Sequence, residues 1–113
     1  SVFRKREYYD IKRVHLIDEF SSSDNGKCFT FNIGGKYISE ICIYKGGFVK
    51  FYCQCPSFRY QFASLLYRRG SLLHPEEFNH LNRIPRKNAV TFICKHLEAC
   101  LRKFRIKILK EAL

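Results

Sequence analysis

The chain has 113 residues, among them six Cys, no Met and no Trp, and its formal net charge is +11 at pH 7. This length suits one domain, because single domains commonly contain about 100–150 residues. With 46% hydrophobic residues and 18 Phe and Tyr side chains, the chain is too apolar to be disordered. Its apolar runs span only a few residues, so we expect neither a transmembrane helix nor a retained secretory signal.

The first half of the chain predicts four β-strands in succession. Apolar side chains alternate with others at the two-residue period of a strand, most regularly at Phe29, Phe31 and Ile33. Gly46 and Gly47 lie between the third and fourth strands and favour a tight hairpin, because glycine tolerates a positive φ. The predicted strands cover residues 8–17, 28–33, 37–45 and 48–53.

The second half predicts two helices. Apolar residues recur at helical spacing between Pro56 and Gly70, which suit the start and the end of a helix. A second helix with an apolar stripe is predicted over residues 95–110. Residues 71–92 between them are irregular, with one short helical turn at residues 75–77. The predicted fold class is therefore α+β: a small antiparallel sheet of about four strands followed by two helices.

The six cysteines do not form the framework of a small disulfide-rich protein. Cys28, Cys42 and Cys100 stand singly in apolar segments and are interpreted as buried core thiols. Cys28 and Cys42 could form a disulfide only if their strands bring them together in oxidising surroundings. We therefore expect an intracellular, reducing compartment, the cytoplasm, with free or metal-bound thiols.

Two short stretches carry residues of the types that bind metal. Cys53 and Cys55 end the fourth strand, Cys94 and His96 begin the last helix, and 38 residues separate the two pairs. Thiolates and imidazoles are the usual structural ligands of zinc, which binds four of them in a tetrahedron. The pattern C-x-C…C-x-H therefore predicts one structural zinc ion, which would hold the sheet and the last helix together.

At both pairs the backbone must depart from regular strand or helix geometry so that the two side chains can bind the same zinc ion. On a straight strand the two Sγ atoms would lie about 6.6 Å apart, whereas two sulfurs on one zinc lie about 3.8 Å apart. We therefore expect the strand to end and the chain to bend at Cys53. Cys94 and His96 would not share a face in the middle of a helix. At a helix start, however, Cys94 can lie on the entering coil and His96 in the first turn, where the helix dipole favours a thiolate.

This pattern resembles the SWIM-type zinc finger, whose signature is C-x-C, a variable gap and C-x-H. Pro56 and Phe58 follow the first pair, and Leu97 and Ala99 follow the histidine, as in many members of that family. The resemblance covers residues 37–101 and implies a ββα arrangement around one closed zinc site. It also implies contacts with DNA or with protein, since SWIM modules are associated with both.

The gap between the two pairs is long for this family, because it holds a helix and an irregular segment. In this respect the chain looks like SWIM-like proteins of bacteriophages, some of which are structural. We expect one domain over residues 1–113. It would contain N-terminal strands in residues 1–35 and a SWIM-like zinc module in residues 36–110, with an insertion at residues 71–92.

Other residues are weaker candidates for ligands or for catalysis. His74 and His80 could replace His96 as a ligand, but neither has a neighbouring Cys. Cys100, one turn after His96, is interpreted as a core residue and not as a spare ligand. No Ser/His/Asp set and no Gly-rich phosphate loop is recognisable, and four protein ligands would close the zinc site. We therefore expect a protein that is not an enzyme.

Positive charge is concentrated in the second half of the chain. Residues 1–55 carry a net charge of +3 and residues 56–113 a net charge of +8. Seven of the 12 basic residues in the second half are Arg, which suits bidentate contact with phosphate. Late-helix Lys and Arg could instead only complement the helix C-terminus. The predicted contacts with a polyanion are Arg59, Arg68, Arg69, Arg83, Arg86, Lys87, Lys95, Arg102, Lys103 and Arg105.

Two functions remain open from the sequence. The first is a zinc-stabilised module whose basic surface binds the phosphates of DNA, RNA or another polyanion without strong sequence preference. The second is a structural or assembly component, in a phage virion or another large complex, that acts through protein–protein contacts. Phe and Tyr side chains left exposed outside the core would favour the second.

Overall fold

The computed structural model describes residues 8–79, 81 and 93–112. Four antiparallel strands form one sheet in the order of the chain, so each strand pairs with the next along the sequence. Two helices follow the sheet, and the predicted α+β class is confirmed. The strands are β1 (Val14–Ser21), β2 (Lys27–Ile33), β3 (Tyr37–Ile43) and β4 (Val49–Cys53).

Strand β1 begins and ends later than the sequence predicted. A helical turn of the 3-10 type over Ile11–Arg13 precedes it, capped by the Asp10 carboxylate, which accepts a hydrogen bond from a main-chain N–H. The pairing with β2 then continues to Ser21, through a register shift after Leu16. A bulge of this kind adds one residue to one strand and interrupts the alternation, which explains the imperfect pattern there.

The hairpin between β3 and β4 turns at the predicted glycine pair. Gly46 and Gly47 have φ angles of +94° and +84°, which residues with side chains rarely adopt. The Tyr44 N–H donates to the Phe48 carbonyl at 2.8 Å and closes the hairpin. This turn sets the register of the hairpin, in which Ser39 lies directly opposite Cys53.

The first helix is short and begins irregularly. A π-helical turn over Phe58–Phe62 leads into α1 (Ala63–Arg68), and Gly70 follows its end with a φ of +72°. The chain then runs parallel to β4 at Leu72, which covers the outer edge of that strand. The predicted helical turn at Pro75–Glu77 is present and is of the 3-10 type.

Helix α2 (Lys95–Ala112) packs against the sheet and closes the core. Its backbone kinks at Phe104, whose ring centroid lies 5.4 Å from that of Phe31 on β2. The predicted apolar stripe of α2 is confirmed, since all its members are buried or half-buried: Leu97, Cys100, Leu101, Phe104 and Ile108. Among the residues that the structure describes, no helix has both the length and the apolar character needed to cross a bilayer.

Cys28 and Cys42 are buried, as predicted, but they are not free thiols. The register of β2 and β3 places them directly opposite each other, and their sulfurs are joined in a disulfide across the two strands. The interpretation of these two residues as free core thiols is therefore wrong. The cause is register: the sequence indicated both strands but not which of their residues face each other.

Candidate metal centre

The Cys53/Cys55 pair and the Cys94/His96 pair meet at one end of the sheet. The Sγ atoms of Cys53, Cys55 and Cys94 and a ring nitrogen of His96 all lie within 4.8 Å of one another. The distance from the Cys53 Sγ to the His96 Nδ1 is 3.9 Å. All four side chains are buried, with His96 the most exposed at 6%. The structure thus brings together the four predicted ligands, and this cluster could hold one metal ion.

The end of β4 bends as a shared metal requires. The strand ends at Cys53, and the next residue, Gln54, is fixed to β3 by two hydrogen bonds with the main chain of Ile38. The chain then turns into the helical region, where the Phe58 N–H donates to the Cys55 Sγ at 3.3 Å. Both cysteine sulfurs can therefore face one point, which a continued strand would prevent.

The start of α2 places the second pair. Cys94 directly precedes the helix, and its carbonyl accepts the hydrogen bond from the Glu98 N–H at 3.1 Å. His96 lies in the first turn, as the sequence predicted. Main-chain N–H groups at a helix start attract negative charge, so this position favours the thiolate form of Cys94 once a metal is bound.

Hydrogen bonds distribute the protons of the three thiols unevenly. The hydrogen bond with Cys53, together with that from Cys94, holds the pKa of Cys55 well below its usual value. The hydrogen bond with Cys55 raises the pKa of Cys53 to about 11, and the hydrogen bond with Cys53 raises the pKa of Cys94. These opposite shifts arise because the three thiols lie close together, where several negative charges would repel in a buried space without a cation.

Residues around the four ligands were not predicted from the sequence. The Ser39 hydroxyl, which is fully buried, donates to the Cys53 Sγ at 3.1 Å. The rings of Tyr9 and Tyr37 contact the His96 ring, with centroid distances of 4.7 and 5.3 Å. The hairpin register could have indicated Ser39. No pattern in the sequence indicates Tyr9, which reaches His96 from 87 residues away.

The alternative ligands lie elsewhere. His74 bonds through its Nε2 to the Glu40 carboxylate and takes no part in the cluster. Cys100 is buried in the core, where desolvation raises the pKa of its thiol. His80 lies outside the described residues. Cys100 is therefore a core residue, as predicted.

Three of the ten residues predicted to contact a polyanion form hydrogen bonds within the chain. The Arg102 guanidinium donates to the Glu98 carboxylate and to the Tyr9 carbonyl, each at 2.8 Å. The Lys103 Nζ donates to the Val14 carbonyl at 2.7 Å. The Arg59 guanidinium donates to a main-chain carbonyl and lies over the Phe78 ring. Contact of these three residues with a polyanion stays a prediction, but the hydrogen bonds within the chain make them weaker candidates than unpaired cations.

The other predicted contacts divide into two groups. Arg68, Arg69, Lys95 and Arg105 are exposed, and within the described residues neither Lys95 nor Arg105 forms an ion pair. Arg83, Arg86 and Lys87 lie outside the described residues. The structure therefore leaves Lys95 and Arg105 as the clearest candidates for contact with an anion.

No family model matches this chain, and no curated protein or solved structure is significantly similar to it.

Proposed function

We propose that this chain is a zinc-binding module of the SWIM type, in which one structural zinc ion joins the β3–β4 hairpin to α2. The buried cluster of Cys53, Cys55, Cys94 and His96 carries this proposal. Three thiolates and one imidazole form a soft, tetrahedral donor set, which suits zinc better than Mg²⁺ or Ca²⁺. The spacing of the ligands and their places at a strand end and a helix start support the resemblance to the SWIM signature.

The role of the metal in this proposal is structural and not catalytic. Four protein ligands fill the tetrahedron, so no position remains for a substrate or an activated water. The ligands are at most 6% exposed, which further restricts access. A metal site of this type contributes directly to folding, by on the order of 10 kcal/mol in zinc-finger peptides.

Metal analysis of the purified chain tests the proposal. We expect one zinc per chain, and we expect Cys53→Ser to lose it and to unfold at a lower temperature, because three ligands hold zinc more weakly than four. Cys100→Ser is the matched control, since Cys100 is buried on α2 outside the cluster. A folded wild-type chain without zinc, or equal zinc content in both variants, would contradict the proposal.

The module would present its basic surface to the phosphates of a nucleic acid. The net charge of +11 supports this part of the proposal, because a large positive charge on a small domain attracts polyanions. Arg105 and Lys95 are exposed on α2, and neither is paired with an acidic residue in the described part of the chain. Contacts of this kind bind phosphate without reading sequence.

Titration with DNA and RNA across salt concentrations tests this surface. Affinity should fall steeply as salt rises, because each phosphate contact releases counterions. Arg105→Gln should weaken binding and reduce the salt slope by about one. Lys103→Gln is the matched control on the same helix, because the Lys103 ammonium already bonds to the Val14 carbonyl. If Arg105→Gln and Lys103→Gln weakened nucleic-acid binding equally, the assignment of Arg105 to the binding surface would be contradicted.

A second candidate function, assembly through protein contacts, is favoured by an apolar groove between the sheet and α2. Ile43, Val49 and Phe51 line one side of this groove, and Leu101, Ile108 and Leu109 line the other. Its volume is about 610 Å³, and Glu98, Arg102 and Arg105 also line it. A partner segment with apolar side chains and a carboxylate for Arg105 would fit it. No binding of nucleic acid at low salt would favour this second role.

A further inference from the structure

We infer that residues 8–10, here called the cover segment, close the metal centre on its histidine side and set the rate at which the metal leaves. Arg102 holds the cover segment in place. This inference rests on the proposed function, because it concerns exchange of the proposed zinc ion. It assigns positioning roles to Tyr9 and Arg102.

The His96 ring is covered by aromatic side chains that are not themselves ligands. The Tyr9 ring meets the His96 ring edge to face at 4.7 Å, and the Tyr37 ring packs against it at 5.3 Å. His96 lies in the first turn of a helix and is nevertheless only 6% exposed. Loss of the Tyr9 ring would therefore open His96 to solvent.

Arg102 fixes the cover segment to α2 by two contacts and is itself held by a third contact within the helix. One guanidinium N–H donates to the Tyr9 carbonyl at 2.8 Å, and the Nε–H donates to Glu98 at the same distance. The guanidinium also lies 5.1 Å from the centre of the Tyr8 ring. Because Glu98 orients Arg102 from one helical turn away, the guanidinium is already in position to hold the main chain of Tyr9.

The Tyr9 ring fits closely against the turn after β2. The Arg13 guanidinium lies 5.6 Å from the ring centre. At Gly34 an added Cβ would lie 2.6 Å from the Tyr9 hydroxyl oxygen, so the glycine leaves the space that this hydroxyl needs. Tyr9 is therefore held from several directions, although it lies outside the sheet.

The cover segment is the part of the surroundings that can open at least cost. The three thiolate ligands are at most 2% exposed and are enclosed by β4, the helical turn that follows and α2. The cover segment precedes the first strand and takes no part in its ladder, so its opening breaks no strand pairing. A chelator would thus reach the metal most readily from the side of His96.

Release of zinc to an excess of a chromogenic chelator tests the inference. Tyr9→Ala and Arg102→Gln should each release zinc about tenfold faster than the wild type, since residues that orient metal ligands typically affect affinity by that order. Tyr9→Phe keeps the ring and should release zinc at about the wild-type rate. Lys110→Gln, which changes an exposed residue on the same helix, is the matched control and should match the wild type. Zinc content before the chelator is added should be one per chain in all variants.

Release from Tyr9→Ala and Arg102→Gln at the wild-type rate would overturn the inference and leave the zinc proposal intact. If the wild type binds no zinc, the proposed function fails first. Far-UV circular dichroism of the loaded variants checks that the fold is kept. If Tyr9→Ala does not fold, Arg102→Gln decides, because it leaves every aromatic side chain in place.

Discussion

The Cys53 sulfur receives a hydrogen bond from a hydroxyl group that the sequence pattern did not indicate. The Ser39 Oγ lies 3.1 Å from it, and Ser39 is fully buried at the position opposite Cys53 in the hairpin. A donor to a metal-bound thiolate lowers the electron density on sulfur and fixes its direction. A buried hydroxyl needs such a partner, because an unpaired one is costly. Ser39 would therefore support the proposed metal centre without being a ligand.

We predict that Ser39→Ala weakens zinc binding by about tenfold, as is typical for the loss of a group that orients a ligand. The fold should remain, because the substitution removes one hydroxyl and leaves the hairpin register unchanged. Competition with a chelator of known affinity measures the effect. Ser23→Ala is a suitable control in an exposed turn. Equal zinc affinities of Ser39→Ala and Ser23→Ala would show that Ser39 does not strengthen zinc binding.

At the scale of elements, the four ligands could be predicted from the sequence, because residues of metal-binding type stand at the predicted end of a strand and the predicted start of a helix. Thiol and imidazole groups at the end of one strand and the start of one helix are placed by local backbone rules alone. The bulge after Leu16, the disulfide and the contact of Tyr9 with His96 were not predictable. Each depends on which residues face each other across elements, and that is decided by packing of the whole domain.

The disulfide joins β2 and β3 in the middle of the sheet, 14 residues apart along the chain. In the chain-entropy model, a loop of this length stabilises the folded state by about 3 kcal/mol. We predict that the denatured chain, without its metal, takes up four alkyl groups before reduction and six after reduction. Mass spectrometry counts them. Six groups without any reduction would show that Cys28 and Cys42 are free.

The proposed metal would add a link between the two halves of the chain, which are also joined by packing of α2 on the sheet and by the ion pairs Lys27–Glu111 and Lys107–Glu19. The proposed zinc ion would join two pairs of residues that have 38 residues between them in the chain, one pair at the end of the sheet and one at the start of α2. Bound through three thiolates and a neutral imidazole, it changes the net charge by only one unit, from +11 to about +10. The positive surface is therefore kept when the centre is loaded. Removal of the metal should loosen the packing of α2 on the sheet.

The most direct measurement of the central claim is X-ray absorption at the zinc edge of the purified chain. We predict one zinc per chain with three sulfur neighbours at about 2.3 Å and one nitrogen at about 2.0 Å. In Cys53→Ser the zinc signal should be lost, and any zinc that remains should have one sulfur neighbour fewer, whereas Cys100→Ser should give the wild-type spectrum. A folded chain without zinc, or a zinc shell that lacks sulfur, would contradict the account.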